Sequence, residues 1–269
     1  MNMRMKTIGI IGLCCCLRAP LAAQSAPLAD ASASSLSLEQ VVGTPAGPPP
    51  TPEHTGIKAM VKGLVTDFKH LPSKENLFWV GVGGAGALAV HPVDDTLNAH
   101  LVGHDAFWKP GRIIGSTPVL LGTAVIIYAT GRMKDQPKLS HVGMDLIRSL
   151  AVGEALTQTL KYTTRRERPD GSGANSFPSG HATDTFAFAT ALERHLGWRG
   201  AVPAYIFSSY VAMSRLHENR HFVSDVVFGS AVGIISGRTV TRHGREYYTA
   251  DVQIVPHGAM LAFTRRNSD

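Results

Sequence analysis

From Ile57 to Val240, apolar residues recur at three- and four-residue spacing in runs broken by Gly and Pro, and no alternating run interrupts them. A period near 3.6 places apolar side chains along one face of a helix, whereas a half-buried strand needs a period of two. The spacing predicts an all-α bundle with helices over 56–69, 76–89, 94–102, 118–130, 139–163, 182–196, 200–215 and 223–240. Only near the end does the pattern change. The stretch ADVQIVPHGAMLAFTRR alternates on either side of Pro256-His257-Gly258, which predicts a small terminal β-hairpin.

Ahead of this core lie two segments of different composition. Residues 1–23 run from basic (Arg4, Lys6) through apolar TIGIIGLCCCL to small residues, the order of a secretory signal with cleavage after Ala23. Residues 24–56 are rich in Ala, Ser and Pro and read as a linker. The folded domain is then expected over 57–245, with a tail over 246–269. Cleavage removes Cys14, Cys15 and Cys16, so the mature chain has neither disulfide nor thiol nucleophile, in keeping with an oxidising compartment. It also removes Arg4, Lys6 and Arg18 with no acid, taking the net charge from +6 to +3. So small a charge argues against a nucleic-acid partner and makes any functional basicity local.

A membrane span needs about 20 apolar residues. Residues 113–131 approach this, but Pro118 falls inside them, and the other apolar runs are shorter and rich in Gly, Ala or Ser. The expectation is an exported, periplasmic protein, soluble or peripheral to the membrane, with integral insertion the lesser reading.

Three clusters carry chemistry. Lys161-Tyr-Thr-Thr-Arg-Arg-Glu-Arg168-Pro169 ends a long helix; Pro178-Ser179-Gly180-His181 opens another; Ser214-Arg215 and His221-x-x-x-Asp225 frame a third. A Ser-Gly turn at a helix start offers unpaired N–H groups and a positive dipole end to an anion, though it also serves as an ordinary cap. Lys161 and Arg168 suit phosphoryl oxygens as a point charge and a bidentate fork, or may equally be read as a solvated helix C-terminus. His221 and Asp225 stand one helical turn apart, so the carboxylate can fix the imidazole tautomer. The third cluster also contains His217-Glu218-Asn219-Arg220-His221, an H-E-x-x-H that on one helix offers zinc two ligands and a general base. That reading lacks a third ligand: Ser224 and Val227 stand where the short metzincin form has Gly and His. Phe177, Phe186 and Phe222 lie near the clusters and either touch a lipid tail or fill the core.

Together the clusters read K-x6-R-P, P-S-G-H and S-R-x5-H-x3-D, in that order. This resembles the type 2 phosphatidic acid phosphatase superfamily, which includes bacterial acid phosphatases and vanadium haloperoxidases. The resemblance covers about residues 76–240. One departure is the eight-residue interval between Pro169 and Pro178, which is short for the family and leaves little room for a substrate-recognition insert. The resemblance implies a helical bundle of the acid phosphatase/haloperoxidase type and a phosphatase that needs no metal. His221 would be the nucleophile, Asp225 its orienting carboxylate and His181 the acid and then base. Lys161, Arg168, Ser179, Gly180 and Arg215 would bind the phosphoryl group. Substrates would be phosphomonoesters or lipid (pyro)phosphates, with vanadate an inhibitor, or the cofactor if the chain is instead a haloperoxidase.

Overall fold

The computed structural model describes residues 56–103, 105–242, 248–255 and 258–265. The signal and linker expected over 1–55, and His104, lie outside the described residues. Among the described residues, nine α-helices run in chain order: α1 (Ile57–His70), α2 (Lys74–Val90), α3 (Asp94–Leu101), α4 (Lys109–Ile114), α5 (Thr117–Met133), α6 (Pro137–Thr164), α7 (Gly180–Leu196), α8 (Trp198–His217) and α9 (Val223–Val240). A terminal hairpin follows, with β1 (Tyr248–Val255) antiparallel to β2 (Gly258–Arg265).

All eight expected helices are present, and their ends follow local chemistry. Ser73 caps α2 by accepting the Asn76 N–H. Pro118 does not interrupt an apolar span. It sits in the first turn of α5, where its missing N–H costs nothing, and the chain has already turned at Gly115-Ser116. α6 ends where Arg165 enters the left-handed region (φ +47°) and donates its N–H to the Lys161 carbonyl. α4 is the helix that periodicity misses: six residues, KPGRII, are too short to display a face.

Packing centres on α7, which touches α6, α8 and α9, while α5 lies on α6, α2 on α9 and α4 on α8. Leu120, Leu146 and Leu150, between α5 and α6, form one core cluster with Ala124 and Ala191. Burying each leucine contributes about 1.5–3 kcal/mol. The α7–α9 contact is closer than such side chains allow. A Cβ added to Gly233 would collide with the Thr183 carbonyl, and at Gly237 with Thr190. At the far end of α6 and α7, Arg148 forks onto Asp67 of α1 (2.6 and 2.7 Å) and bonds Asp145, which also meets His195 at 2.9 Å.

Gly233→Val should therefore overpack the α7–α9 seam. We expect a loss of about 1–3 kcal/mol, read as a lower thermal midpoint, whereas Gly122→Ala, with open space around it inside α5, should hold or raise the midpoint, since alanine has the higher helix propensity.

Candidate active site

α6, α7 and α8 converge with the loops after α6 and α8 on one cavity of about 1050 Å³. Lys161 comes from the last turn of α6, Arg168 from the loop beyond it, Gly180 and His181 from the first turn of α7, Arg215 from the last turn of α8, and His221 from the loop before α9. Six of the eight site residues expected from sequence line this cavity. The other two, Asp225 and Ser179, are wholly buried behind it.

The interval between Pro169 and Pro178 is short, yet it builds much of the site. Arg168 N–H bonds Gly173 O, Gly171 N–H bonds Arg168 O, and Ser176 N–H bonds Arg166 O, which folds the loop back against its start. Folding it this way delivers two carbonyls. Asn175 O accepts from Lys161 Nζ at 2.6 Å, and Ser176 O accepts from His221 Nδ1 at 2.7 Å. The latter bond fixes the tautomer of His221 with its proton on Nδ1, so Nε2 keeps the lone pair.

Asp225 acts less directly than its spacing implies. Its Oδ2 lies 3.9 Å from His221 Nδ1, too far for a hydrogen bond. It accepts instead from Ser176 Oγ (2.5 Å) and Phe222 N–H (2.8 Å), while Oδ1 takes Arg166 at 2.7 Å. Ser176 is thus the intermediary: its hydroxyl holds Asp225 and its carbonyl holds the histidine. Arg166 is the hub of this layer, bonding Ser224 Oγ (2.7 Å) and Asp94 (2.9 Å) as well, with its guanidinium 4.2 Å from the Phe222 ring centroid. The sequence reading missed Arg166, Ser176 and Asp94. Arg166 stood in the basic run, but nothing there separates it from Arg165, which faces solvent.

The interval from Glu218 to Arg220 also does more than fill a loop. Glu218 pairs with Arg215 at 2.5 Å and Arg220 with Asp170 at 2.8 Å, and all four line the cavity. His217 is fully engaged elsewhere, its Nδ1 donating to Leu101 O (3.1 Å) and its Nε2 accepting the Asp105 N–H (3.0 Å). α8 ends at His217, and Asn219 adopts φ +56°. His217 and His221 therefore do not share the uninterrupted helix that the zinc reading requires. The three phenylalanines do not line the cavity: Phe186 packs on Tyr205, Phe222 lies under Arg166, and Phe177 meets Phe228 in a separate apolar pocket beside α2.

Electrostatically the site suits an anion. Burial first, then opposing contributions among which nearby cations lower it further, brings His221 down to about 4; burial and the Arg215 charge bring His181 down to about 4. Both rings are neutral at pH 7. Arg168 Nε, Arg215 Nε and Ser179 Oγ are buried and meet no acceptor among the described residues. Three unsatisfied donors around one cavity fit a polyoxyanion.

The comparisons point the same way. Residues 142–246 match the model of the PAP2 superfamily. A lipid A 1-phosphatase of Porphyromonas gingivalis is 46% identical over 80 residues, 29% of this chain and 18% of that protein. A PA-phosphatase related-family protein of Dictyostelium discoideum is 24% identical over 149 residues, 44% of this chain and 55% of that one. The chain thus spans from under a fifth to about half the length of these relatives. The crystal structure of a transmembrane PAP2-type phosphatidylglycerolphosphate phosphatase from Bacillus subtilis has the same fold, with a TM-score of 0.50 and 20% identity, covering 70% of this chain and 96% of that one.

These findings overturn the expectation of a soluble or peripheral protein, since the Bacillus subtilis structure that shares this fold is that of a transmembrane protein. The helical stretch Lys74–Leu101 is long and apolar enough to cross a membrane, and only 17% of its apolar window is buried. Leu77, Phe78 and Leu88 on it are 62–73% exposed. Val223–Val240 passes the same test but is 67% buried, as a core helix is. Hydropathy marked both as core because a Gly- and Ala-rich helix has the same index whether or not its faces are covered.

His221 should titrate far below the ordinary histidine value of about 6.5. In spectra of imidazole-labelled protein it should remain the neutral Nδ1–H tautomer at pH 5.5, where an exposed histidine is protonated. A midpoint above 6 would contradict the geometry.

Proposed function

We propose that this protein is a membrane-embedded phosphatase that hydrolyses lipid phosphate monoesters through a phosphohistidine. The observation that carries the reading is the arrangement of His221, its lone pair fixed on Nε2 by Ser176, and neutral His181 around one cavity with Lys161, Arg168 and Arg215. The names of the relatives, lipid A 1-phosphatase and phosphatidylglycerolphosphate phosphatase, support a lipid phosphate as substrate.

The phosphoryl oxygens bind Lys161, Arg168, Arg215, the Gly180 N–H at the start of α7 and the buried Ser179 hydroxyl. His221 Nε2 attacks phosphorus as the ester P–O bond breaks, and protonated His181 gives its proton to the departing alcohol oxygen. The proton on His221 Nδ1 stays with Ser176 O, beside the Asp225 carboxylate, so the phosphorylated cationic ring is stabilised. Water then attacks phosphorus, His181 takes one of its protons, and the N–P bond breaks to release phosphate. Cations and N–H groups supply the stabilisation of developing charge that a metal gives elsewhere.

His181 becomes an acid only when substrate arrives. In the free cavity burial, and after it the Arg215 charge, holds its pKa down; a bound dianion opposes the cations and raises it.

His221→Ala should eliminate turnover and acid-labile, base-stable labelling alike, with the thermal midpoint retained. Trapping of labelled phosphate on a histidine in the wild type, its loss in the variant, and activity unaffected by EDTA are the expected results. Full activity of His221→Ala, or EDTA inactivation reversed by zinc, would sink the reading. Because a nucleophile with a pKa near 4 is neutral at every pH above about 5, kcat/KM corrected for the fraction of substrate present as the dianion (second pKa about 6) should not decline between pH 7 and 5. A fall centred at 6.5 would mean a solvated nucleophile.

A further inference from the structure

Val102, Gly103, Asp105, Lys109 and Arg112 line the catalytic cavity, and the mechanism above gives them no task. Arg112 O accepts from His181 Nε2 at 3.1 Å, so this segment borders the acid that protonates the leaving oxygen. Whatever is attached to that oxygen passes along it.

The segment is firmly held from α8. The two His217 ring bonds fix Leu101 and Asp105, and His217 O takes the Gly103 N–H at 3.1 Å. A Cβ at Gly103 would strike the His217 ring, so only glycine permits this approach. Tyr210 Oη donates to Phe107 O at 2.5 Å, and Trp108 stacks on Tyr210 with centroids 5.4 Å apart. Phe107 then stands edge-on to Trp108 and Tyr210, at 4.9 and 5.3 Å. Despite two ordered rings beneath and beside it, Phe107 remains 67% exposed.

Among the described residues the outer part of this ordered ring stays uncovered, so an apolar group laid against it gains burial. Lys109 immediately follows the ledge, and Arg112 lies one helical turn beyond. Phe107 stands between Asp105 and Lys109, which both line the cavity, so an apolar ledge adjoins a phosphate site and its cations, an arrangement complementary to an amphiphile whose tail leaves the polar cavity. We propose that Phe107, supported by Trp108 and Tyr210, forms the leaving-group subsite, against which the apolar part of the alcohol lies while its phosphoryl group sits between His221 and His181. This subsite rests on the phosphatase reading and adds the residues that select for an apolar alcohol. It replaces Phe177, Phe186 and Phe222, which the fold turns away from the cavity.

The test is a chain-length series of butyl, octyl and dodecyl phosphate, assayed in one detergent micelle with the wild type, Phe107→Ala and Phe107→Leu. The Phe107 anchor is its backbone carbonyl, so truncating the ring leaves the Tyr210 bond in place. For the wild type, kcat/KM should rise with chain length. In Phe107→Ala the dodecyl ester should lose about tenfold, about 1.4 kcal/mol, while the butyl ester changes less than about twofold, and Phe107→Leu should recover most of the loss. An equal loss on all three esters would make Phe107 a structural or bilayer-anchoring residue and overturn the subsite, as would an unchanged dodecyl rate. A wild type inactive on every ester would instead overturn the phosphatase reading beneath it.

Discussion

One guanidinium, that of Arg166, lies between two buried carboxylates, and the site depends on it. Asp225 is wholly buried and Asp94 nearly so, and Arg166 bonds both. An isolated ionised carboxylate in such a place costs several kcal/mol, and one cation offsets only part of the cost for two. The remainder falls to neutral donors: Ser176 Oγ and Phe222 N–H for Asp225, Ser224 N–H and Oγ for Asp94. Phe222 and Ser224 lie at the start of α9, where backbone N–H groups have no helical partner. The network thus caps α9, ties α3 to it, and pulls the loop after α6 inward in a single arrangement.

The chemistry follows from where that loop is pulled. With Ser176 Oγ committed to Asp225, its carbonyl faces His221 Nδ1, and the ring has one tautomer and one orientation. Asn175, the preceding residue, then meets Lys161. His221 and Lys161, the proposed nucleophile and phosphate-binding lysine, are therefore set by neighbouring carbonyls of one short loop. An eight-residue interval too small for a recognition insert is long enough for this purpose. In the proposed subsite, recognition of the leaving group falls instead to the segment before α4.

The sequence made legible what depends on residue type at fixed spacing. Eight helices followed from periodicity within a few residues, and the terminal hairpin from alternation about Pro256-His257-Gly258. Lys161, Arg168, His181, Arg215 and His221 came together because their motifs sit at helix ends that the fold directs to one cavity. Partners chosen by the fold were not legible. Arg165 and Arg166 are adjacent and chemically identical, yet the left-handed turn at Arg165 sends one to solvent and the other between two aspartates. The His221–Asp225 spacing fits direct contact on a helix, but α9 begins only at Val223, and Ser176 comes between them. His217 looked like a zinc ligand because sequence cannot show that Leu101 and Asp105 already occupy its nitrogens. The membrane question failed for a related reason: burial, not hydropathy, separates α9 from α2.

The charges lining the cavity suggest why a monoester suits it. Lys109, Arg112, Lys161, Arg168, Arg215 and Arg220 face Asp105, Glu154, Asp170 and Glu218, leaving two positive charges in excess. Glu218 and Asp170 do not neutralise the site so much as hold Arg215 and Arg220 in place, each through one short bond. A phosphate monoester near pH 7 is largely a dianion and balances this excess; a diester, with one charge, leaves the cavity positive. Burial first, and then the Arg215 charge, keeps His181 unprotonated in the free protein. In the proposed reaction a bound dianion opposes that charge and favours loading the acid, so substrate charge couples to the protonation state of the cavity. A diester would bind the same cations yet leave His181 a poor acid, which places discrimination in the chemical step as well as in binding.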